Sequence, residues 1–424
     1  MSERTMMGIR IRYPKLFLLL MSALVLVLCL YMRTYGSNEV VVRSSLDTRR
    51  LTEQHGIDCS AVYNMDPVAL GKSLALRKRG VTMASDASVA NATSDCARYL
   101  ASRGYGEAHV SEAERDFPLA YSLVVHKDAA MVERILRAVY MPHNVYCLHY
   151  DLKSPAVFAE AMRGLARCLP KLTVASQLEH VQYAGISRLH ADLNCLKDLA
   201  NSPVPWRYAI NLCGQDFPLR SNSELVRELR ALGGASMLET VRPSNAKKQR
   251  FSVRYILRDK NAQYHPLPVR TAEAKAPPPH GIQVFVGSAY FTLAREFVTF
   301  VQQSRLAKDF LAWSEDTYSP DEHFWASLIR VPEAPGAVGL SEPDISDLTS
   351  KTRVVKWEYL EHRLYPACTG VHLRSVCIYG AAELRWLLDG RHWFANKLDP
   401  KVDPILIECL EEKLAERQRT SGAH

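Results

Sequence analysis

The sequence predicts an α/β fold, a mostly parallel sheet flanked by helices, carried behind an N-terminal transmembrane anchor. Three observations lead there. From about residue 117 onward, short apolar runs alternate with helical periodicities, the pattern of βα units. Hydrophobic residues are 47% of the 424, enough for a sizeable core and too many for a disordered chain. Only one long apolar run occurs, at residues 16–32, which excludes a multi-pass membrane protein. The balance of 53 Lys+Arg against 45 Asp+Glu is mildly positive and spread along the chain. Without a basic block or zinc-finger spacing, no nucleic acid is expected as a partner. Anionic small substrates stay open.

The run at 16–32 is seventeen residues without a charge. It spans roughly 25 Å at about 1.5 Å per residue, which suits a thin bilayer. Arg4, Arg10, Arg12 and Lys15 precede it. The positive-inside rule then keeps the short N-terminus cytosolic and sends the rest to the lumen. A cleaved signal peptide is the weaker reading, because Tyr31-Met32-Arg33-Thr34 is a poor cleavage site. Nine cysteines follow the anchor and none forms a C-x-x-C pair, so zinc is not expected. In an oxidising lumen they read as disulfides plus one leftover thiol, and spacing does not choose the pairing. A glycosylation sequon at Asn91-Ala92-Thr93 suits the same compartment.

Residues 34 to about 115 lack clean periodicity and read as a stem followed by an extension stapled by Cys59 and Cys96. Strands are then expected at 120–126, 144–150, 171–176 and 207–213, separated by helices at 131–140, 155–169 and 186–199. Ser154 is the expected cap of the second helix, with Pro155 in its first turn. A further capped helix covers 223–232. Ligands of such sheets sit beyond the carboxyl ends of the strands. The loop residues there are Lys127-Asp128, Asp151-Leu152-Lys153 and Gly214-Gln215-Asp216. Past 235 the order is mixed: strands at 236–240 and within 282–293, a long helix at 296–314 and a helix at 321–329. Residues 264–280, rich in proline, read as a loop.

No P-loop, no G-x-G-x-x-G, no G-x-S-x-G and no H-E-x-x-H occurs. An anchored lumenal α/β domain suggests a glycosyltransferase, yet the D-x-D motif on which many of those hold a metal is missing. If a nucleotide sugar is the donor, arginine or lysine must stabilise its departing diphosphate.

At this point the chain resembles a known family. The segments are Ala120-Tyr-Ser-Leu-Val-Val-His126, Leu136-Arg-Ala-Val-Tyr-Met-Pro142, Ala191-Asp-Leu-Asn-Cys195, Ile210-Asn-Leu-Cys-Gly-Gln-Asp-Phe-Pro218, Tyr318-Ser-Pro-Asp-Glu-His323, Val371-His-Leu-Arg-Ser-Val-Cys377 and Phe394-Ala-Asn-Lys397. In this order they are similar to the mucin-type core 2 and I-branching β-1,6-N-acetylglucosaminyltransferases, over roughly residues 90–412. The resemblance implies a GT-A-like fold and a type II Golgi membrane protein. It implies UDP-GlcNAc as donor, O-glycans of mucin-type glycoproteins as acceptors, and no divalent metal as cofactor. The expected organisation is a cytosolic tail (1–15), the signal-anchor (16–32), a stem and lumenal extension (33–115), a catalytic domain (116–412) and a C-terminal tail (413–424). Homodimerisation through the stem is left open.

The resemblance also implies roles. Glu322 would be the general base, although a carboxylate at a helix start is by itself as well explained by the helix dipole. Arg374 and Lys397 would bind the diphosphate. Val124, Asp151 and Tyr183 would lie near uridine. Glu239, Lys247, Arg250, Trp357 and Tyr359 would face the acceptor. The implied disulfides are Cys59–Cys409, Cys96–Cys168, Cys147–Cys195 and Cys368–Cys377, with Cys213 left as a buried inert thiol. The chain departs from the family pattern in three places: a short segment at 361–366, Ile186 in place of a tryptophan, and an insertion around Pro277–Pro279. The activity expected is core 2 branching of Galβ1-3GalNAc. Core 4 or I branching is the nearest alternative, since it changes only the acceptor. A glycan-binding relative without turnover is the alternative from another class, and xylosyl transfer a weaker rival.

Overall fold

A computed structural model describes residues 50–105, 110–256, 267–339 and 343–421. The apolar run at 16–32 lies outside them, and among the described residues no helix is long and apolar enough to cross a membrane.

The centre is a six-stranded sheet in the order β3-β2-β1-β4-β9-β6. Its strands are β1 (Leu119–Val125), β2 (Val145–Tyr150), β3 (Leu172–Val174), β4 (Tyr208–Cys213), β6 (Met237–Leu238) and β9 (Phe291–Ala294), while β5 (Asp216–Pro218) belongs elsewhere. The four strands β3, β2, β1 and β4 run parallel. β9 runs antiparallel to both β4 and β6. β1 is buried along its whole length, as a parallel strand covered on both faces must be. Tyr121, Leu123 and Val125 pack into one core layer and Ala120 into the other. The first layer takes helices Ala129–Val139, Ala156–Cys168, Asn222–Arg230 and Pro404–Ser421; the second takes Ile186–Ala200, Arg295–Gln303, Arg305–Ser314 and Phe324–Leu328. Because the chain passes from β1 outward to β2 and β3 and then returns to β4, the strand order reverses between β1 and β4. A crevice opens at that reversal.

The extension before β1 is helical. Cys59–Tyr63, Pro67–Arg79 and Cys96–Arg103 pack buried side chains such as Val62, Leu76 and Tyr99 into the first core layer. Disulfides join Cys59 to Cys409, Cys96 to Cys168, Cys147 to Cys195 and Cys368 to Cys377, and Cys213 is free. This is the pairing that the resemblance implied. Asn91 is exposed, whereas Thr93 of its sequon is buried, its hydroxyl donating to the carbonyls of Val89 and Ala90.

Four local expectations are corrected. The helix expected over 296–314 is two helices, broken at Ser304, whose extended backbone and hydroxyl cap the second. The helix expected over 321–329 is a 3₁₀ turn, Pro320–Glu322, followed by Phe324–Leu328, with His323 out of helical conformation between them. The loop expected over 264–280 contains strand β8 (Val269–Ala274), which pairs with β7 (Val253–Ile256). Ser154 does not cap the helix after β2, which starts at Ala156; its hydroxyl instead donates to the His126 carbonyl at the end of β1.

Two small sheets complete the region after residue 350. Strands β10 (Val354–Val355), β13 (Phe394–Asn396) and β5 form one. A hairpin of β11 (Val371–Leu373) and β12 (Val376–Ile378) forms the other. Arg374 and Ser375 at its tip both have positive φ, as a two-residue hairpin turn requires.

Candidate active site

The carboxyl ends of β1, β2 and β4 meet around Val124, Asp151 and Cys213. A cavity of about 60 Å³ sits at the strand reversal, between Lys127 and Asp128 after β1 and Gly214 and Gln215 after β4. Asp128 adopts positive φ so that its carboxylate accepts from the Met131 amide and starts the next helix. Asp151 Oδ1 accepts from the amides of Lys153 (2.9 Å) and Val181 (3.3 Å), which ties the end of β2 to the loop carrying Tyr183. Tyr183 is 60% exposed and free to meet a ligand. His149 Nε2 in β2 accepts from the Glu179 amide of that loop at 2.8 Å; burial lowers that imidazole to about 4, so it stays neutral.

The thiol of Cys213 is pushed up to about 11 by burial and then by the Asp216 carboxylate, and so stays protonated. Asp216 accepts from the Cys213 amide at 2.6 Å and from Asn396 Nδ2 at 2.8 Å, and forms a buried pair with Arg353 at 3.2 Å. These bonds anchor the segment of Lys397 to the end of β4. The same segment bonds to the hairpin, the Tyr379 amide donating to the Lys397 carbonyl at 3.1 Å. The hairpin in turn holds the aromatics expected on the acceptor side: Trp357 bridges to Val376, and the Glu358 amide donates to the Ser375 carbonyl at 3.0 Å. Trp357 and Tyr359 stand 5.7 Å apart, both well exposed. Neither Arg374 nor Lys397 forms an ion pair with a carboxylate of a described residue.

Glu322 ends the 3₁₀ turn. Its loop is fixed from three directions: the Ser319 amide donates to Ala184, the Tyr318 amide to Arg250, and the Gly287 amide to Glu322 itself, each at 2.8 Å. Lys247 Nζ donates to Glu322 Oε2 at 2.8 Å, and Arg250 donates to the same oxygen. No hydrogen bond from a described residue reaches Oε1. Gly287 admits a close approach, since a Cβ there would stand 2.0 Å from the carbonyl oxygen of Glu239. The carboxyl of Glu239 is raised to about 7, by burial first and then by Asp347, with Lys247 opposing.

The structure therefore gathers Glu239, Lys247, Arg250 and Glu322 into one cluster. It gathers Arg374, Lys397, Trp357 and Tyr359 onto two linked small sheets, and Val124 and Asp151 at the strand ends, with Tyr183 on the loop that bonds to Asp151. Two residues given no role in the sequence reading link the first of these groups to the strand ends. Arg188 pairs with the buried Asp192 at 2.5 Å, and its guanidinium also interacts with Asp321 and Cys213. Asp321, next to Glu322, is raised to about 6, chiefly by burial. The i,i+4 spacing of Arg188 and Asp192 was visible in sequence, but such pairs usually lie on solvated helix faces.

A profile of the Core-2/I-Branching enzyme family matches residues 119–388. The chain is 58% identical over 407 residues to a zebrafish (Danio rerio) protein named beta-1,3-galactosyl-O-glycosyl-glycoprotein beta-1,6-N-acetylglucosaminyltransferase 4, covering 95% of each chain. It is 58% identical to the Mus musculus protein of the same name, over 92% of this chain and 86% of that one. A Bos taurus protein bearing the name with number 3 is 41% identical, over 86% and 83%.

Proposed function

Because the chain belongs to the Core-2/I-branching enzyme family, we propose that it transfers GlcNAc from UDP-GlcNAc to the 6-hydroxyl of GalNAc in Galβ1-3GalNAc O-glycans, by inversion and without a divalent metal. We place it in the Golgi membrane as a type II protein anchored by residues 16–32. The observation that carries the reading is the posture of Glu322. Two cations hold Oε2 and leave Oε1 to receive a proton. The relatives' names, which specify a β-1,3-galactosyl-O-glycosyl-glycoprotein and β-1,6 transfer, support the acceptor and the linkage.

The reaction is one displacement. The acceptor's 6-oxygen attacks the anomeric carbon of GlcNAc while its proton passes to Glu322 Oε1. The bond from that carbon to the β-phosphate oxygen breaks, and UDP leaves with the electron pair. Base catalysis of this kind contributes about 10²–10⁴-fold. Charge developing on the diphosphate is met by Arg374 and Lys397, two cations with no described carboxylate partner. Trp357 and Tyr359 offer apolar faces to a pyranose, and Glu239 accepts from its hydroxyls. The absence of D-x-D and the presence of these cations support metal independence.

The test is transfer from UDP-GlcNAc to a Galβ1-3GalNAc glycoside with the lumenal portion beginning near residue 36, with and without EDTA. Undiminished β-1,6 product in EDTA is expected. Turnover that needs added manganese overturns the cationic assignment, and product on another hydroxyl overturns the acceptor assignment.

A further inference from the structure

A second concavity, of about 330 Å³, lies beside the acceptor cluster. One wall is the short helix Ser346–Thr349, which presents Asp347 and Leu348. That helix is pinned to the residue following Glu239: Ser346 Oγ donates to the Thr240 carbonyl and accepts from the Thr240 amide, both at 2.7 Å. The opposite wall is aromatic. Tyr365 meets Trp386 edge-on at 6.0 Å, and the Lys356 ammonium lies 4.6 Å over the Trp386 ring, fixing its orientation. Leu348 and Leu364 are 52% and 57% exposed, so the mouth is apolar and open. Arg391 supplies a guanidinium. Neither Asp347 nor Arg391 is in an ion pair among the described residues.

These features select a ligand class. Aromatic and aliphatic surface matches the C–H face of a pyranose. A carboxylate accepts from hydroxyls and a guanidinium donates to them, so one of each suits a neutral sugar better than an acidic one. His392, lowered to about 4 by burial and by Arg391, adds no second cation. The volume is at the lower end for small-ligand sites, room for one ring and its substituents rather than a long chain. The wall helix is bonded to Thr240 and its Asp347 interacts with Glu239, which puts such a ring beside the residues assigned to the acceptor.

We propose that this concavity is an acceptor subsite for a neutral sugar that extends the Galβ1-3GalNAc unit, so that the enzyme branches elongated O-glycans. The proposal rests on the acceptor reading above.

The experiment compares a Galβ1-3GalNAc glycoside with the same glycoside carrying one further β-linked GlcNAc on its galactose, in the wild-type, Arg391→Ala and Leu364→Asp proteins. The wild type is expected to prefer the trisaccharide in kcat/KM. Each variant is expected to lose about tenfold on the trisaccharide, the scale of one charge-assisted hydrogen bond for Arg391→Ala and of one lost apolar contact for Leu364→Asp, and under about twofold on the disaccharide, with an unchanged melting temperature. A parallel loss on both acceptors, or a preference that survives both substitutions, overturns the subsite. Preference for a sialylated trisaccharide over the neutral one overturns the neutral-sugar assignment. If the wild type branches neither glycoside, the functional reading fails instead, and saturation-transfer NMR with the trisaccharide still decides the subsite. Signal on the terminal GlcNAc that Arg391→Ala abolishes supports it, and signal that the variant retains overturns it.

Discussion

Replacing Glu322 by glutamine separates the chemistry of this site from its architecture. The carboxylate holds Lys247 and Arg250 through a single oxygen, and the three side chains are 30%, 38% and 26% exposed. Ion pairs as exposed as these contribute at most about 1 kcal/mol each. The amide oxygen of glutamine still accepts one of the two donors, so the net loss of stability is about 1 kcal/mol, a fall in Tm of roughly 2–4 °C. The loop keeps its backbone bonds to Ala184, Arg250 and Gly287. Glutamine cannot take the hydroxyl proton, so kcat is expected to fall about 10²–10⁴-fold. UDP affinity is expected to stay within about twofold, because Arg374 and Lys397 sit on other segments. The assays are transfer kinetics, UDP calorimetry and thermal melting on one preparation. Turnover above a tenth of wild type removes Glu322 as base. A loss of activity that follows a loss of folded protein or of UDP binding makes it a structural residue.

Arg374→Ala and Lys397→Ala should each weaken UDP binding about tenfold or more, the scale of one charge-assisted contact, and unchanged calorimetric affinity would remove that residue from the donor site. Glu239→Gln should stabilise the fold at pH 8 and not at pH 4. The ordinary carboxyl value lies below its folded value of about 7, so stability present at low pH is lost as pH rises through 7, by up to about 3 kcal/mol. Equal melting shifts for Glu239→Gln at both pH values would contradict the buried, raised carboxyl. Gly287→Ala would drive a methyl into the Glu239 carbonyl and shift both carboxylates; about a hundredfold loss of kcat is expected in a protein that still binds UDP, and wild-type rates would show that the approach is not close.

The central sheet was legible because β1, β2 and β4 are apolar runs followed by periodic helices, a pattern with one compact solution. The break at Ser304 was not, since apolar spacing continues across it and a serine that caps looks like any serine. Strand β8 was missed for a different reason. Val269-Arg-Thr-Ala-Glu-Ala274 is exposed at most of its positions and flanked by prolines, so it carries no buried alternation to read. At the candidate site, residues inside long motifs, such as Glu322 and Lys397, could be named as candidates. Arg188, and a role for Asp321 within its motif, could not, because their meeting depends on the packing of one helix against a distant turn, which a single sequence does not encode locally.

The bond between Cys59 and Cys409 spans 350 positions, and Glu408 beside it accepts from the amides of Leu51 and Thr52 at the very start of the described chain. A ribosome adding about 5–20 residues per second delivers the second sulfur tens of seconds after the first. Through that interval the early thiol waits next to other cysteines it must not keep. Closing this bond therefore needs an oxidant, and any wrong pair formed earlier needs a thiolate to reshuffle it. A premature stop between positions 59 and 409 forfeits the clasp as well as the tail and leaves Cys59 without its partner.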